Sequence, residues 1–198
     1  YISAFGIHLA NLMRRLRLAS EKQGGKFQWM VSTATIGNPT EFAEKLTGVS
    51  SEQLKLIDKS GAKTYERTLL ILEPSNAPNF TVVNLMVELL SKGLKGLVFV
   101  NSRHTVKYLY SLLAERRKTE YVEMFYGSLW EKKRRQLISS LDEGRLKALI
   151  STSALQAGID LKSVDYVIIR GLDSLNDFWQ RAGRCGRGNP GLIIFVPD

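Results

Sequence analysis

The chain has 198 residues, 44% hydrophobic and 24% charged, the proportions of an ordinary globular protein with room for one ample core or two small ones. No apolar run approaches the ~20 residues that span a bilayer, and Cys185 is the only cysteine, so a disulfide within the chain is excluded and a reducing compartment is expected. The two histidines, His8 and His104, form no metal-ligand spacing, whereas a net charge of +9 makes a polyanion a reasonable partner.

Phe5, Leu9, Leu12 and Leu16 recur at helical spacing, with Arg14, Arg15 and Arg17 behind them, and predict a helix to about Ala19 that Gly24-Gly25 ends. Phe27 to Val31 reads as a strand. Asn38-Pro39-Thr40-Glu41 has the order of a helix start, with Asn as cap, Pro at the first position and Glu three residues on, and the helix runs to Leu46 before Gly48. Residues 49–67 are polar and mixed, with a weak strand at Leu54 to Ile57. From Thr68 the rhythm changes to strand Thr68–Leu72, helix Phe80–Leu90, strand Leu97–Val100, helix Ser102–Arg116, strand Val122–Phe125 and helix Leu129–Leu141. Strands Ala148–Ser151 and Tyr166–Ile169, helix Ser174–Ala182 and strand Leu192–Val196 follow. Short apolar strands alternating with helices predict an α/β fold, a parallel sheet covered by helices on both faces. Ligands of such sheets gather outside the carboxyl ends of the strands, where Asn101-Ser102-Arg103, Tyr126-Gly127-Ser128 and Thr152-Ser153 fall.

Two runs carry most of the chemistry. Gln180-Arg181-Ala182-Gly183-Arg184-Cys185-Gly186-Arg187 spaces three arginines by three residues and threads them with glycines. On a helical start that spacing brings planar, permanent charges toward one face, as a polyphosphate clamp requires; the run alone is equally compatible with a solvated basic surface. Ser151-Thr152-Ser153 through Gly158-Ile159-Asp160 empties a buried strand into hydroxyls, then a Gly and an Asp. Hydroxyls and amides at a strand end accept a phosphate without steric conflict, and Asp160 suits a ribose hydroxyl or a nearby arginine. The plainer reading is a strand, a turn and a capping Asp.

Thr33-Ala34-Thr35, Val98-Phe99-Val100-Asn101-Ser102-Arg103, Ser151 to Asp160 and Gln180 to Arg187 stand in the order and spacing of superfamily 2 helicase motifs III, IV, V and VI. The chain resembles that superfamily over nearly its whole length. The opening run Tyr1 to Leu16, followed by Ala34-Thr35-Ile36-Gly37-Asn38-Pro39, is most similar to DNA helicases of the YprA/Hrq1/MrfA type. The resemblance implies two RecA-like domains with ATP between them and a nucleic-acid strand across the top. Residues 1–50 are then the end of the first domain, 51–67 a linker, and 68–198 most of the second. The chain opens on Tyr1 without an initiator methionine and reads as an excerpt of a longer protein. The phosphate-cradling loop and the acidic magnesium motif of the first domain are missing. Gly24-Gly25-Lys26 has the wrong spacing for the former, and Leu141-Asp142-Glu143-Gly144 ends a helix where the latter would lie on a strand. ATP and Mg2+ are therefore expected to be held mainly elsewhere, and this segment is expected to be inactive alone.

By residue, the resemblance makes Arg184 and Arg187 arginine fingers. It sets Gly158, Asp160, Gln180 and Arg181 around the nucleotide, and Thr33, Ala34 and Thr35 as coupling residues. It brings Ser102, Arg103, Gly127, Ser151 and Thr152 to a nucleic-acid backbone, and assigns no metal ligand. Lys132, Lys133, Arg134 and Arg135 point around a whole helix and read mostly as solvated surface; Trp29 reads as core, Trp179 as packing, and Trp130 stays open between surface and base stacking. Cys185 reads as packing. Gln156 in place of an acidic residue and Gly171-Leu172-Asp173-Ser174 without the usual proline depart from the pattern. The implied function is an ATP-dependent DNA helicase or translocase acting on single-stranded or partly duplex DNA. It would be intracellular, in the cytoplasm or nucleoid, without a membrane partner, in a DNA-repair setting and alongside other domains of its parent chain. An RNA helicase and a non-catalytic RecA-like nucleic-acid-binding module are the alternatives.

Overall fold

In the computed structural model, residues 4–26, 28–33, 36–59, 61, 63, 65–74, 77–155, 161 and 164–198 are described. The chain divides into two units, Tyr1–Gly61 and Ala62–Asp198, at a point inside the expected connector 51–67.

In the first unit, helix α1 (Ala4–Lys22) runs beyond the expected end at Ala19. It closes where the Gly25 amide reaches back to the Ser20 carbonyl at 2.9 Å. Helix α2 (Pro39–Thr47) starts at its proline, but the Asn38 side chain caps no amide. Instead Asn38 Nδ2 donates to Glu41 Oε2 at 2.7 Å, and Glu41 also accepts from Lys45. A charged carboxylate is a stronger acceptor than the competing arrangement offers, so the expected box closes between side chains. Arg14 donates to the Lys45 carbonyl at 3.0 Å and Arg17 to the Gly48 carbonyl at 2.7 Å, meeting carbonyls that the end of α2 leaves without helical partners. The strands expected at Phe27–Val31 and Leu54–Ile57 are not formed: residues 28–31 and 54–57 carry no ladder, and Phe27 lies outside the described residues. An extended segment becomes a strand only beside another, and among the described residues of this unit there is no strand to pair with.

The second unit is one six-stranded parallel sheet in the order β1-β6-β5-β2-β4-β3, built from β1 (Arg67–Ile71), β2 (Gly96–Phe99), β3 (Val122–Phe125), β4 (Ala148–Ser151), β5 (Tyr166–Arg170) and β6 (Gly191–Val196). Helices α3 (Pro78–Ser91) and α4 (Arg103–Glu115) pack on one face, and α5 (Glu131–Asp142) and α6 (Leu175–Ala182) on the other. The chain steps across the sheet one way from β1 to β3 and back from β3 to β6. The helices change face at the same point, as right-handed crossovers demand. Alternation along each strand divides the core: Val98, Ile150 and Ile168 face α3 and α4, while Leu97, Phe99, Leu149, Val167 and Ile169 face α5 and α6. This places the carboxyl ends of β5, β2, β4 and β3 side by side, and the loops that follow them line one edge.

Candidate nucleotide and nucleic-acid sites

The loops at that edge hold the residues expected to meet a nucleic-acid strand. Ser102 caps α4, its Oγ accepting from the Thr105 amide at 3.0 Å, and so fixes the direction in which the first turn faces solvent. Arg103 is exposed, and its guanidinium lies over the Tyr126 ring, 5.7 Å from the centroid. That contact joins the end of β2 to the end of β3 across the intervening β4. The Leu129 amide closes a turn onto the Tyr126 carbonyl at 3.0 Å around exposed Gly127 and Ser128. A Cβ on Gly127 would find only the Ala154 Cβ, at 3.9 Å, so packing does not require glycine there. Ser151 is fully buried and its hydroxyl donates to the Thr152 carbonyl at 2.8 Å, so of that pair Thr152 is the residue at the surface.

The arginine run is arranged differently from its linear pattern. It is the end of a helix, not a start: α6 stops at Ala182 and Gly183 follows as its cap. The three arginines therefore share no helical face. Arg181 points inward and is 1% exposed, Arg184 is half-buried, and Arg187 is exposed with its Nε donating to the Gly183 carbonyl at 2.8 Å. Gly186 has φ 69°, the left-handed region, so the turn between the last two arginines favours glycine there. Half-burial, and then the neighbouring Arg187 charge, hold the Arg184 guanidinium below its ordinary pKa. A guanidinium is a planar, permanent charge whose donors match phosphate oxygens. Cys185 pairs with Val164 just before β5, so this turn lies toward the amino ends of the strands, away from the loops of the preceding paragraph.

Arg181 connects the two regions. Its Nη2 bonds Asp173 Oδ2 at 2.8 Å, its Nη1 bonds Asn101 Oδ1 at 3.2 Å, and its guanidinium lies 5.9 Å from the centroid of Phe99. The carboxyl ends of β2 and β5 are thus tied to the last turn of α6. Asn101 and Asp173 stand within the sequence motifs with no sign there of a shared arginine partner. The arginine spacing was the misleading cue, because it suggested that Arg181 faces outward with the others. Gln180 is exposed, as is Thr33 in the first unit. Gly158, Asp160, Ala34 and Thr35 lie outside the described residues, as does Gln156. Asp142 and Glu143 end α5, with Glu143 paired to Arg145 at 2.8 Å. Among the described residues no group of three or more His, Cys, Asp or Glu side chains is placed to hold a metal ion. No helix is long and apolar enough to cross a membrane among the described residues.

Residues 81–189, more than half of the chain, match the helicase conserved C-terminal domain family. The chain belongs to that family. It is a superfamily 2 helicase segment of the YprA, Hrq1 and MrfA type, and its sheet is the RecA-like fold of helicase C-terminal domains. Over its whole length it is 31% identical to the uncharacterized ATP-dependent helicase YprA of Bacillus subtilis, and it spans 28% of that protein. The crystal structure of the DUF1998 helicase MrfA bound to DNA matches with a TM-score of 0.84 at 30% identity, over 98% of this chain and 29% of MrfA. The ATP-dependent RNA helicase DBP5 of Kluyveromyces lactis is 33% identical over 60% of this chain, which covers 27% of it. This helicase segment thus spans less than a third of each of these relatives.

Proposed function

We propose that the chain is the motif III to VI part of an ATP-dependent DNA helicase or translocase. In this reading residues 1–50 end a first RecA-like domain, 51–67 link, and 68–198 form most of the second. Magnesium-bound ATP is the substrate, held mainly by the other part of the first domain. Arg184 and Arg187 reach its γ-phosphate as fingers. In other phosphoryl-transfer enzymes a finger contributes roughly 10³ to 10⁵ in rate, because it offsets charge that develops in the transition state. Gly158, Asp160 and Gln180 stand around the nucleotide, and Arg181 supports them from within the domain. Ser102, Arg103, Gly127 and Thr152 hold the sugar-phosphate backbone, with Ser151 shaping the strand end behind Thr152. Thr33, Ala34 and Thr35 couple nucleotide state to closure of the two domains. Backbone contacts do not read sequence, so binding is sequence-tolerant and weakens with salt.

The observation that supports the choice of DNA is the structural likeness over 98% of the chain, at a TM-score of 0.84, to a helicase solved with DNA bound, against 83% and 0.63 for Dbp5 of Saccharomyces cerevisiae solved with RNA. The test is ATP hydrolysis by the intact protein without nucleic acid, with single-stranded DNA and with single-stranded RNA. Stimulation by DNA is expected; stimulation by RNA alone moves the substrate to RNA, and no hydrolysis in any condition leaves a non-catalytic binding module. Arg187→Ala is expected to abolish turnover, a loss of roughly 10³-fold or more, with nucleotide binding largely kept. Near-normal turnover in that variant would remove Arg187 from the site.

A further inference from the structure

We infer that Trp130 is a base-stacking platform, which makes single-stranded rather than duplex nucleic acid the ligand of this edge. The inference rests on the reading above for the loops it adjoins, and adds to their backbone contacts a contact with the bases. Trp130 is 86% exposed, more than any other large hydrophobic residue on the described surface except Met30. Its two counterparts differ in kind: Trp29 is half-buried in the first unit, and Trp179 packs edge-on against Phe178 at 5.3 Å.

The position of Trp130 makes its exposure informative. It follows the Tyr126–Leu129 turn directly and occupies the cap position of α5, where its side chain makes no cap hydrogen bond. Tryptophan there supplies neither the oxygen acceptor that a helix start favours nor apolar burial, so local stability gives no reason for it. An indole held in water beside cations does suit a strand of bases. Every base has a π-face, and stacking on an aromatic side chain is tolerant of sequence. Arg103 lies over Tyr126, which opens the turn before Trp130, and Lys132, Lys133, Arg134 and Arg135 follow on α5, where Glu131 pairs Arg135. A flat apolar ring held in water, with a basic run following it in the chain, is complementary to a polyanion that carries its own flat rings. A duplex keeps its bases stacked on one another and offers this ring only phosphates.

The test is binding of a labelled oligothymidine strand to the intact protein, compared with an abasic strand of equal length and with a duplex. Trp130→Ala is expected to weaken binding of the oligothymidine about 5- to 100-fold. Trp130→Phe should keep most of the affinity. Neither the abasic strand nor the duplex should respond to Trp130→Ala, and the slope of affinity against salt should stay as it is. Arg103→Ala, a phosphate contact, should instead lower that slope by about 0.7 and weaken all three ligands. Equal binding of oligothymidine by the Trp130→Ala protein overturns the inference, as does an equal loss for the abasic strand. If in that case Arg103→Ala still weakens binding, the nucleic-acid reading of the edge stands and only the stacking role of Trp130 falls. If the unaltered protein binds none of the three ligands, both fall together.

Discussion

Cys185 stands between the two finger candidates, where a thiol invites a redox or nucleophilic role. It is fully buried among Val164, Phe178, Ala182 and Ile193, and its Sγ lies 3.9 Å from the Leu192 carbonyl. Burial, which outweighs the opposing Arg67 charge, pushes the thiol pKa up, and the thiolate is the reactive form. The native protein is therefore expected to leave a disulfide reagent unreacted until the domain is unfolded; a thiol titrating at once would place Cys185 at the surface. Tyr166 poses the opposite question, a polar atom with no visible use. Its ring fills the space against Gly96, where a Cβ would come within 2.3 Å, and its hydroxyl is buried with no hydrogen-bond partner among the described residues. Burial first, and the charge of Asp165 second, raise the phenol pKa well above its usual value near 10. The folded state therefore holds the proton more tightly than the unfolded chain does. The group's contribution to stability is whole below about pH 10 and is lost as pH rises above it. Tyr166→Phe removes an unsatisfied buried hydroxyl and should stabilise the domain by about 1 kcal/mol near neutral pH. Chemical denaturation at pH 7 and at pH 11 checks both parts, since the gain should widen at the higher pH.

Among the elements, α6 is the one whose placement decides where Arg184 and Arg187 stand, and it is only eight residues long. A helix of that length does not hold itself, so its position comes from Phe178 and Ala182 in the core and from the bonds of Arg181 to Asp173 and Asn101. Asp173 is half-exposed while the Arg181 side chain is almost wholly buried, so removing the carboxylate leaves most of the cost on the arginine. Asp173→Ala is expected to lower stability by about 2 kcal/mol, read as a drop in the thermal midpoint of several degrees. A midpoint within a degree of the original would mean that α6 is held by its apolar face alone. None of this was legible in the sequence, because the partners are 8 and 80 residues from Arg181 and the arginine spacing pointed outward. What was legible is local. Val122–Phe125 and Ala148–Ser151 are strands over the residues expected, since short apolar runs between turns have no competing fate inside a sheet. Ser174 reads as a helix start and caps α6 by accepting from the Asp177 amide at 3.1 Å. Residues 28–31 and 54–57 have the same composition cues but no neighbouring strand among the described residues, and a ladder is not a property of one segment. At the candidate sites, the loops after β2, β3 and β4 were legible from strand order, whereas the burial of Ser151 beside a partly exposed Thr152 was not.

At the scale of the whole molecule the two units differ in how they bury apolar surface. The sheet of the second unit has a core on each face, so Val98, Phe99, Leu149, Ile150, Val167 and Ile168 are all within a percent of full burial. In the first unit Ala43 is the only buried apolar side chain among the described residues, while Phe5, Leu12 and Leu16 stay exposed and Met30 is 93% exposed. A large apolar side chain contributes about 1.5–3 kcal/mol when buried, and three left in water withhold an amount comparable to the whole stability of a small domain. Arg14 and Arg17 tether α1 to the end of α2 by hydrogen bonds at the surface, each of which contributes only about 1 kcal/mol net. Residues 1–61 should therefore fail to fold when excised, showing rapid proteolysis and no cooperative thermal transition. Residues 62–198 should melt as one cooperative unit and resist the same protease. Expressing the two pieces side by side decides it, with circular dichroism melts and a proteolysis time course on each. A first piece that resists protease and melts sharply would show that α1 and α2 suffice for a core, and the exposed Phe5, Leu12 and Leu16 would then need another account. The expected outcome instead means that α1 and α2 do not make a core by themselves, as the exposure of Phe5, Leu12 and Leu16 implies. It would make the second unit the part of the chain in which Arg184, Arg187 and Trp130 can be studied on a folded scaffold.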